Sequence, residues 1–255
     1  MKLAAIYNVW DGVELLHGSI ECIKDHVNQI IIVWQNVSNI GEIYDPMPEM
    51  EFPFEIRKKI IFYKYDPNFS ISAAQNEVRK RQFGLEIAYN YDCTHFFHID
   101  VDEYYQDFAA AKKEYLISGC KGSACRIYTY FKEPTLRLEN LDGYYVPFIH
   151  ELEEQTRSGN SSYPFYCDPT RTISYQERLC SEDIYTMSQP MHHFSWVRKD
   201  IGRKARNSSA AQYGNQLRGL LSDYHFPNLG EGYILKDMGG QRLKIVDNVF
   251  GINVI

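Results

Sequence analysis

Apolar runs alternate with amphipathic stretches along the first hundred residues of the chain. Continuous apolar runs of this length are typical of strands buried on both faces of a sheet, and they predict strands over residues 3–7, 29–34, 59–65 and 94–99. Helical spacing of apolar residues predicts helices over 13–27 and 72–91. Strands that alternate with helices predict βαβ units and a parallel sheet.

The pattern changes after Asp107. A helix over 108–118 and a strand over 124–131 are expected, followed by a hairpin that turns at Asp142-Gly143. Residues 190–197 predict a further strand and residues 200–224 a basic helix, so this half should be antiparallel or mixed. The long segment 35–57 carries three prolines and predicts a functional or variable loop.

The segment CTHFFHIDVDEYYQDF (93–108) ends an apolar strand in three carboxylates, Asp100, Asp102 and Glu103. Ligands of open α/β sheets bind at the carboxyl ends of the strands. Asp100 and Asp102 share one face of an extended chain, and two such carboxylates with substrate phosphates are typical ligands of Mg²⁺ or Mn²⁺. The alternative is an acidic turn without a ligand, followed by Asp107 as the cap of the next helix.

Two segments resemble GT-A glycosyltransferases, in particular the family-2-like enzymes. These are NEVRKRQFGLEIAYNYDCTHFFHIDVDEYY (76–105), with its D-x-D-E-Y motif, and MHHFSWVRKDIGRKARNSS (191–209). The resemblance covers roughly residues 3–210 and implies a GT-A-like α/β fold, a mixed sheet flanked by helices in a single domain. We expect a catalytic domain over 1–224, with a nucleotide-binding half (1–106) and an acceptor half (107–224), and a C-terminal extension over 225–255.

The resemblance also implies roles for individual residues. The metal ligands would be Asp102, Asp100 and a histidine, preferably His193 before Phe194 and otherwise His192. The residues expected to bind the nucleotide, its ribose or its diphosphate are Tyr7, Asn8, Gln35, Asn36, Arg81 and Asp100. Apart from the resemblance, the basic helix could offer Lys204 or Arg203 to the diphosphate. Family members often carry Asp where Gln35 or Asn36 stands, so the identity of the base stays open.

Sugar transfer with inversion needs a general base for the acceptor hydroxyl, and a carboxylate is usual. The candidates, in order of preference, are Glu177, Asp183 and Asp168. A retaining mechanism would need none of them as a base.

Composition narrows the choice of partner. A formal charge of −6 argues against a nucleic-acid binder. The six cysteines form no C-x-x-C pair, and no apolar run reaches the length of a signal peptide or membrane span, so a cytoplasmic location is expected. The basic helix could reach an anionic acceptor or a membrane surface, which allows peripheral membrane association.

The sequence therefore predicts a glycosyltransferase that uses Mn²⁺ or Mg²⁺ to move a sugar from a nucleotide-diphosphate sugar, preferably a UDP-sugar, to a glycan or lipid-linked saccharide. One alternative is a non-catalytic carbohydrate-binding or scaffold protein with a degenerate site. The other is a metal-dependent phosphohydrolase, although Glu103 and Tyr104 follow the D-x-D where such enzymes have other residues.

Overall fold

A computed structural model describes residues 1–159, 163–177, 180, 182–207, 214–227 and 229–254. Its helices are α1 (Val13–Ile23), α2 (Phe54–Arg57), α3 (Ala73–Asn90), α4 (Phe108–Ser118), α5 (Ile201–Asn207) and α6 (Gly214–Tyr224). Short 3-10 helices span Met47–Glu49 and Lys236–Met238.

The strands of the first half are β1 (Leu3–Val9), β2 (Gln29–Trp34), β3 (Ile60–Lys64), β4 (His95–Asp100) and β5 (Glu103–Tyr104). Those of the second half are β6 (Gly122–Cys125), β7 (Ile127–Phe131), β8 (Leu136–Leu138), β9 (Val146–Glu151), β10 (Arg157–Ser158), β11 (Ile173–Ser174), β12 (Ile184–Thr186), β13 (Met191–Trp196), β14 (Ile234–Leu235) and β15 (Gln241–Ile245).

A seven-stranded mixed sheet in the order β12-β6-β9-β4-β1-β2-β3 forms the centre of the fold. Strands β1 to β4 are parallel, and β9 runs antiparallel to both β4 and β6. Strand β1 is buried along almost its whole length, because helices cover both faces of the sheet. The predicted α/β class, a mixed sheet flanked by helices, is confirmed.

Local sequence explains where the helices next to the sheet begin. Helix α3 starts with a capping box in which Ser72 and Gln75 satisfy each other's backbone amides. The side chain of Asp107 accepts a hydrogen bond from the Ala110 amide and caps α4, as its sequence position predicts. Helix α1 begins after Gly12, which has a positive φ of 76°.

Helix α1 ends earlier than the predicted residue 27. Its last residue is Ile23, and the chain then turns into β2. Asn28 fixes this turn, because its backbone amide donates to the Leu3 carbonyl and its side chain accepts from the Leu3 amide. The two hydrogen bonds between Asn28 and Leu3 of β1 therefore take the place of the last helical turn that the apolar spacing predicts.

The predicted strand over 124–131 is two strands in different sheets. β6 belongs to the seven-stranded sheet, whereas β7 pairs with β8 and β13 in a second sheet ordered β14-β15-β8-β7-β13-β5. Arg126 lies between them, and its guanidinium donates to the carbonyls of Leu141 and Asp142. The chain thus crosses between sheets at the one charged residue of the run.

The prediction of a hairpin that turns at Asp142-Gly143 is wrong. The flanking strands β8 and β9 lie in different sheets and do not pair with each other. Asp142 instead accepts a hydrogen bond from the Thr129 hydroxyl at 2.6 Å, which ties the connection to β7. A side-chain bond to a distant strand has replaced the turn that the Asp-Gly pair favours.

Two C-terminal predictions fall partly on described residues. The basic helix expected over 200–224 is present as α5 and α6, and residues 208–213 lie outside the described part of the chain. Part of the predicted C-terminal extension joins the second sheet, because β15 pairs with β8 and with β14.

Within the described residues, no helix combines the length and apolarity needed to cross a bilayer.

Candidate functional site

A polar cleft of about 340 Å³ opens where β1, β2 and β4 end. Strand register brings these ends together, because Asn8 of β1 lies opposite Asp100 of β4. This is the edge at which open α/β sheets bind ligands. The cleft is lined by Asn8, Trp10, Asp11, Gln35, Ser38, Asn39, Glu77, Lys80, Arg81, Asp100, Val101, Asp102, Tyr144, Asp168, His193, Ser195, Arg198, Lys204 and Asn207.

Asp100 lies between two buried arginines. Arg81 of α3 contacts both of its carboxylate oxygens at 3.2 Å, and Arg171 contacts Oδ2 at 3.1 Å. Burial alone would raise the pKa of Asp100, but the two guanidinium groups outweigh it and lower that pKa to about 2. Asp100 is therefore an anion at neutral pH and is already neutralised by protein cations.

Asp102 is more deeply buried, at 1% exposure, and is surrounded by a second set of cations. Its Oδ2 accepts a short hydrogen bond from Arg198 and lies 3.7 Å from His193 Nε2 and 3.8 Å from Lys204 Nζ. Burial opposes ionisation, but Arg198, Lys204 and His193 together hold the pKa of Asp102 well below its ordinary value. Asp102 is the most strongly stabilised carboxylate of the cleft.

The backbone of the second sheet places His193 beside Asp102. Strand β5, which directly follows the D-x-D, pairs antiparallel with β13, so that His193 lies opposite Glu103. The Phe194 amide also donates to the Asp102 carbonyl at 2.7 Å. Residues two apart on a strand share a face, and His193 and Ser195 accordingly both line the cleft.

Eight of the residues selected from the sequence lie in the cleft. They are Asn8, Gln35, Arg81, Asp100, Asp102, Asp168, His193 and Lys204. The structure does not bring five others into its lining, namely Tyr7, Asn36, His192, Glu177 and Asp183.

Tyr7 and His192 are directed into the core by strand alternation. Tyr7 is fully buried and shares a hydrogen bond of 2.8 Å with the Ser19 hydroxyl. His192 bonds Tyr130 through Nδ1 and packs against the Phe250 ring, and burial lowers its pKa to about 4. Both side chains pack in the interior and do not face a ligand.

Two of the three candidate bases lie away from the cleft. Asp183 precedes β12, at the end of the strands that lies away from the cleft, and it accepts hydrogen bonds from Cys180. Glu177 is exposed and does not line the cleft. Asp168 does line it, and its Oδ1 accepts from the Thr170 amide and hydroxyl, both at 2.9 Å.

Three cations of the site were not among the residues selected from the sequence. Arg171 forms a two-bond ion pair with buried Glu103, at 2.6 and 2.7 Å, and links Glu103 to Asp100. Arg198 holds Asp102. Lys80 is buried with its Nζ on the Val9 carbonyl at 2.8 Å, and burial lowers its pKa to about 7. A signal for Lys80 existed, because it shares a helix face with apolar Gly84 and Ile87.

Several buried polar atoms of the cleft have no hydrogen-bond partner among the described residues. They include both amide atoms of Asn8, Trp10 Nε1, Gln35 Oε1, and Nε and Nη1 of both Arg81 and Arg198. Buried polar groups in proteins are nearly always satisfied by protein, water or ligand. Donors and acceptors clustered in this way fit a ligand that offers both, such as a nucleotide with its phosphates.

A divalent cation fits this cleft only together with further oxygen ligands. The described residues contain no group of three or more His, Cys, Asp or Glu side chains that could hold a metal by themselves. Asp102 and His193 offer a carboxylate and an imidazole close together, a pair that suits Mn²⁺. The lining has five carboxylates against four lysines and arginines, so a bound diphosphate would need added positive charge.

We expect substitution of the first histidine of the adjacent pair to affect mainly stability, and substitution of the second to affect mainly ligand binding. His193→Ala should weaken Mn²⁺-dependent UDP binding by at least about 10-fold with a small change in stability, because a direct ligand should matter at least as much as the outer contacts of a metal site. His192→Ala should leave binding near wild type but lower the free energy of unfolding by about 2–5 kcal/mol, since it empties a packed aromatic cluster. Calorimetry with UDP and urea unfolding measure the two effects. The reverse pattern would assign the ligand role to His192.

Comparison with known proteins gives matches at the level of structure only. No protein-family model and no curated protein matches the sequence. The chain is similar to the crystal structure of S. aureus TarS 1-349, at 14% identity and a TM-score of 0.42, covering 89% of this chain and 72% of that one.

Two further solved structures are similar to the chain. TarS 1-349 in complex with UDP-GlcNAc matches at 12% identity and a TM-score of 0.41, covering 89% of this chain and 73% of that one. A mannose-1-phosphate geranyltransferase from Thermus thermophilus matches at 14% identity and a TM-score of 0.33, covering 60% of this chain and 51% of that one. Identities and TM-scores this low leave the function to be argued from the residues of the cleft.

Proposed function

We propose that the chain is a GT-A-type glycosyltransferase that moves a sugar from a nucleotide-diphosphate sugar to a saccharide acceptor in a metal-dependent reaction. The observation that carries this proposal is the meeting of two separate sequence segments in one cleft. Asp100 and Asp102 at the end of β4 lie beside His193 and Lys204 from the second half of the chain. UDP is the preferred nucleotide, and the acceptor is a glycan or a lipid-linked saccharide.

The donor fits the polar character of the cleft. The base and ribose would lie over the ends of β1 and β2, where Asn8 and Gln35 offer unpartnered amide atoms. The diphosphate would lie toward Lys204 and Arg198, whose positive charges suit phosphate oxygens. A divalent cation held by Asp102 and His193 would neutralise the diphosphate as a leaving group.

Asp168 is the carboxylate best placed to assist an acceptor. In an inverting transfer the acceptor hydroxyl oxygen bonds to the anomeric carbon, the bond from that carbon to the diphosphate breaks, and the hydroxyl proton passes to a base. Asp168 lines the cleft and is oriented by Thr170, so we propose that it takes this proton. Glu177 and Asp183, which were preferred from the sequence, lie outside the cleft lining.

Calorimetric titration of UDP tests the proposal. UDP should bind in the presence of Mn²⁺ and bind much more weakly in EDTA, and a UDP-sugar substrate should slowly release UDP. If neither UDP nor GDP binds with Mn²⁺ present, the glycosyltransferase proposal fails. UDP binding without any sugar release from a panel of UDP-sugars would favour a non-catalytic protein, and release of inorganic phosphate would favour a phosphohydrolase.

A further inference from the structure

Arg198 is buried beside Asp102. It follows β13, is 7% exposed, and donates from Nη2 to Asp102 Oδ2. The positive charge is also attracted by Asp11 and Glu14 from the start of α1. The turn after β1, the loop after β4 and the segment after β13 therefore come together at this guanidinium.

Gly12 creates the space that this guanidinium fills. A Cβ atom at position 12 would lie 1.5 Å from Arg198 Nη1 and 3.1 Å from a methyl carbon of Val101. Its positive φ of 76° also disfavours any other residue. The position of Arg198 therefore depends on a glycine nearly two hundred residues away in the sequence.

The guanidinium retains unused hydrogen-bonding capacity. Its Nε and Nη1 atoms are buried and have no partner among the described residues, although Arg198 lines the cleft. A planar guanidinium binds phosphate oxygens with two parallel hydrogen bonds. Arg198 therefore has unpartnered donors of the kind that bind phosphate oxygens.

Arg198 and a divalent cation would compete for the same oxygen. Oδ2 of Asp102 accepts the Arg198 hydrogen bond, and it is also the carboxylate oxygen near His193 Nε2, at 3.7 Å. A cation bound at Oδ2 would lie within a few ångströms of the guanidinium, where like charges in a buried site repel strongly. The two positive charges would therefore compete for Asp102.

Resting on the proposed function, we infer that Arg198 weakens the binding of a metal ion to Asp102 as long as no diphosphate is bound. In the free protein Arg198 neutralises Asp102. When the diphosphate and the cation enter together, the cation takes Oδ2 and the guanidinium moves to the phosphate oxygens. Metal and nucleotide consequently bind with positive coupling, and by linkage each raises the affinity for the other by the same factor.

The experiment measures Mn²⁺ binding in the absence of nucleotide, by the electron paramagnetic resonance signal of free Mn²⁺. Arg198→Gln should bind Mn²⁺ at least about tenfold more tightly than wild type, because a charge-assisted hydrogen bond no longer competes for Asp102. UDP should then improve Mn²⁺ affinity by a smaller factor than in wild type. Arg206→Gln is the matched control, since it removes the same charge from an exposed pair with Glu42.

Gly12→Ala gives a second test in which the arginine is kept. The added methyl group would displace the guanidinium from Asp102, so this variant should also bind Mn²⁺ more tightly without nucleotide. Urea unfolding of each variant establishes that the folded protein is being measured.

The outcomes separate this inference from the proposed function. If both folded variants bind Mn²⁺ alone no more tightly than wild type, the competition is overturned, whether or not UDP binds. If the variants gain Mn²⁺ affinity while wild type binds neither UDP nor GDP with Mn²⁺, the competition at Asp102 stands and the glycosyltransferase proposal fails.

Discussion

Asp102→Asn is expected to lower Mn²⁺-dependent UDP affinity by more than about 100-fold, because a direct ligand should matter at least as much as the outer contacts of a metal site. Asparagine keeps the size of the side chain but removes the negative charge that both a metal and Arg198 need. Calorimetric titration of UDP with saturating Mn²⁺, repeated in EDTA, measures the loss. In EDTA the variant should bind UDP no more weakly than wild type, because Arg198 is then no longer held by the Asp102 carboxylate.

Asp183→Asn is the matched control for this substitution. It makes the same chemical change at a carboxylate that lies at the other end of the strands, away from the cleft, where its partner is Cys180. Its UDP affinity should stay at the wild-type value. Asp102→Asn leaves Arg198 without its carboxylate, so urea unfolding of the variant shows whether a loss of binding follows from lost stability. Retained Mn²⁺-dependent binding in folded Asp102→Asn would exclude Asp102 as a ligand.

The central strands were predictable because each is a continuous apolar run. Strand β2 begins and ends at the predicted residues, Gln29 and Trp34, since both neighbours in the sheet are strands of similar length. Strand β1 extends two residues beyond its apolar run, through Asn8 to Val9, because its backbone continues to pair with β2 and β4. Backbone pairing of this kind leaves no mark on the pattern of side chains.

The two aspartates of the cleft were predictable because they lie at a strand end. Asp100 and Asp102 follow an apolar run directly, so their place was visible in the sequence. Two of their partners were not selected, because Arg198 lies 96 residues from Asp102 and Arg171 lies 68 residues from Glu103. Nothing local distinguishes these arginines from exposed ones. Only the pairing of β5 with β13 brings Arg198 close.

The candidate bases show the same limit. Glu177 and Asp183 were attractive because each stands in a polar segment of the second half, but spacing along such segments carries no periodicity that could fix a direction. Asp168 reaches the cleft because the chain at Cys167 forms a parallel bridge with Tyr145, next to cleft-lining Tyr144. An isolated bridge of this kind depends on tertiary packing.

Arg171→Met is expected to lower the free energy of unfolding by about 3–5 kcal/mol. Arg171 is 3% exposed and Glu103 is 2% exposed, and the two form a pair of charge-assisted hydrogen bonds at 2.6 and 2.7 Å. Removing the arginine leaves a buried carboxylate without its counter-ion. Asp100 would lose one of its two cations but keep Arg81. Urea unfolding followed by circular dichroism measures the change.

The double variant Arg171→Met/Glu103→Met should recover most of this stability, because burying two apolar side chains avoids the cost of one unpaired charge. Arg206→Met, at an exposed pair with Glu42, should change stability by less than about 1 kcal/mol. A loss in Arg171→Met no larger than in Arg206→Met would mean that water reaches Glu103. Such access would mean that the ion pair by which Arg171 links Glu103 to Asp100 contributes little to stability.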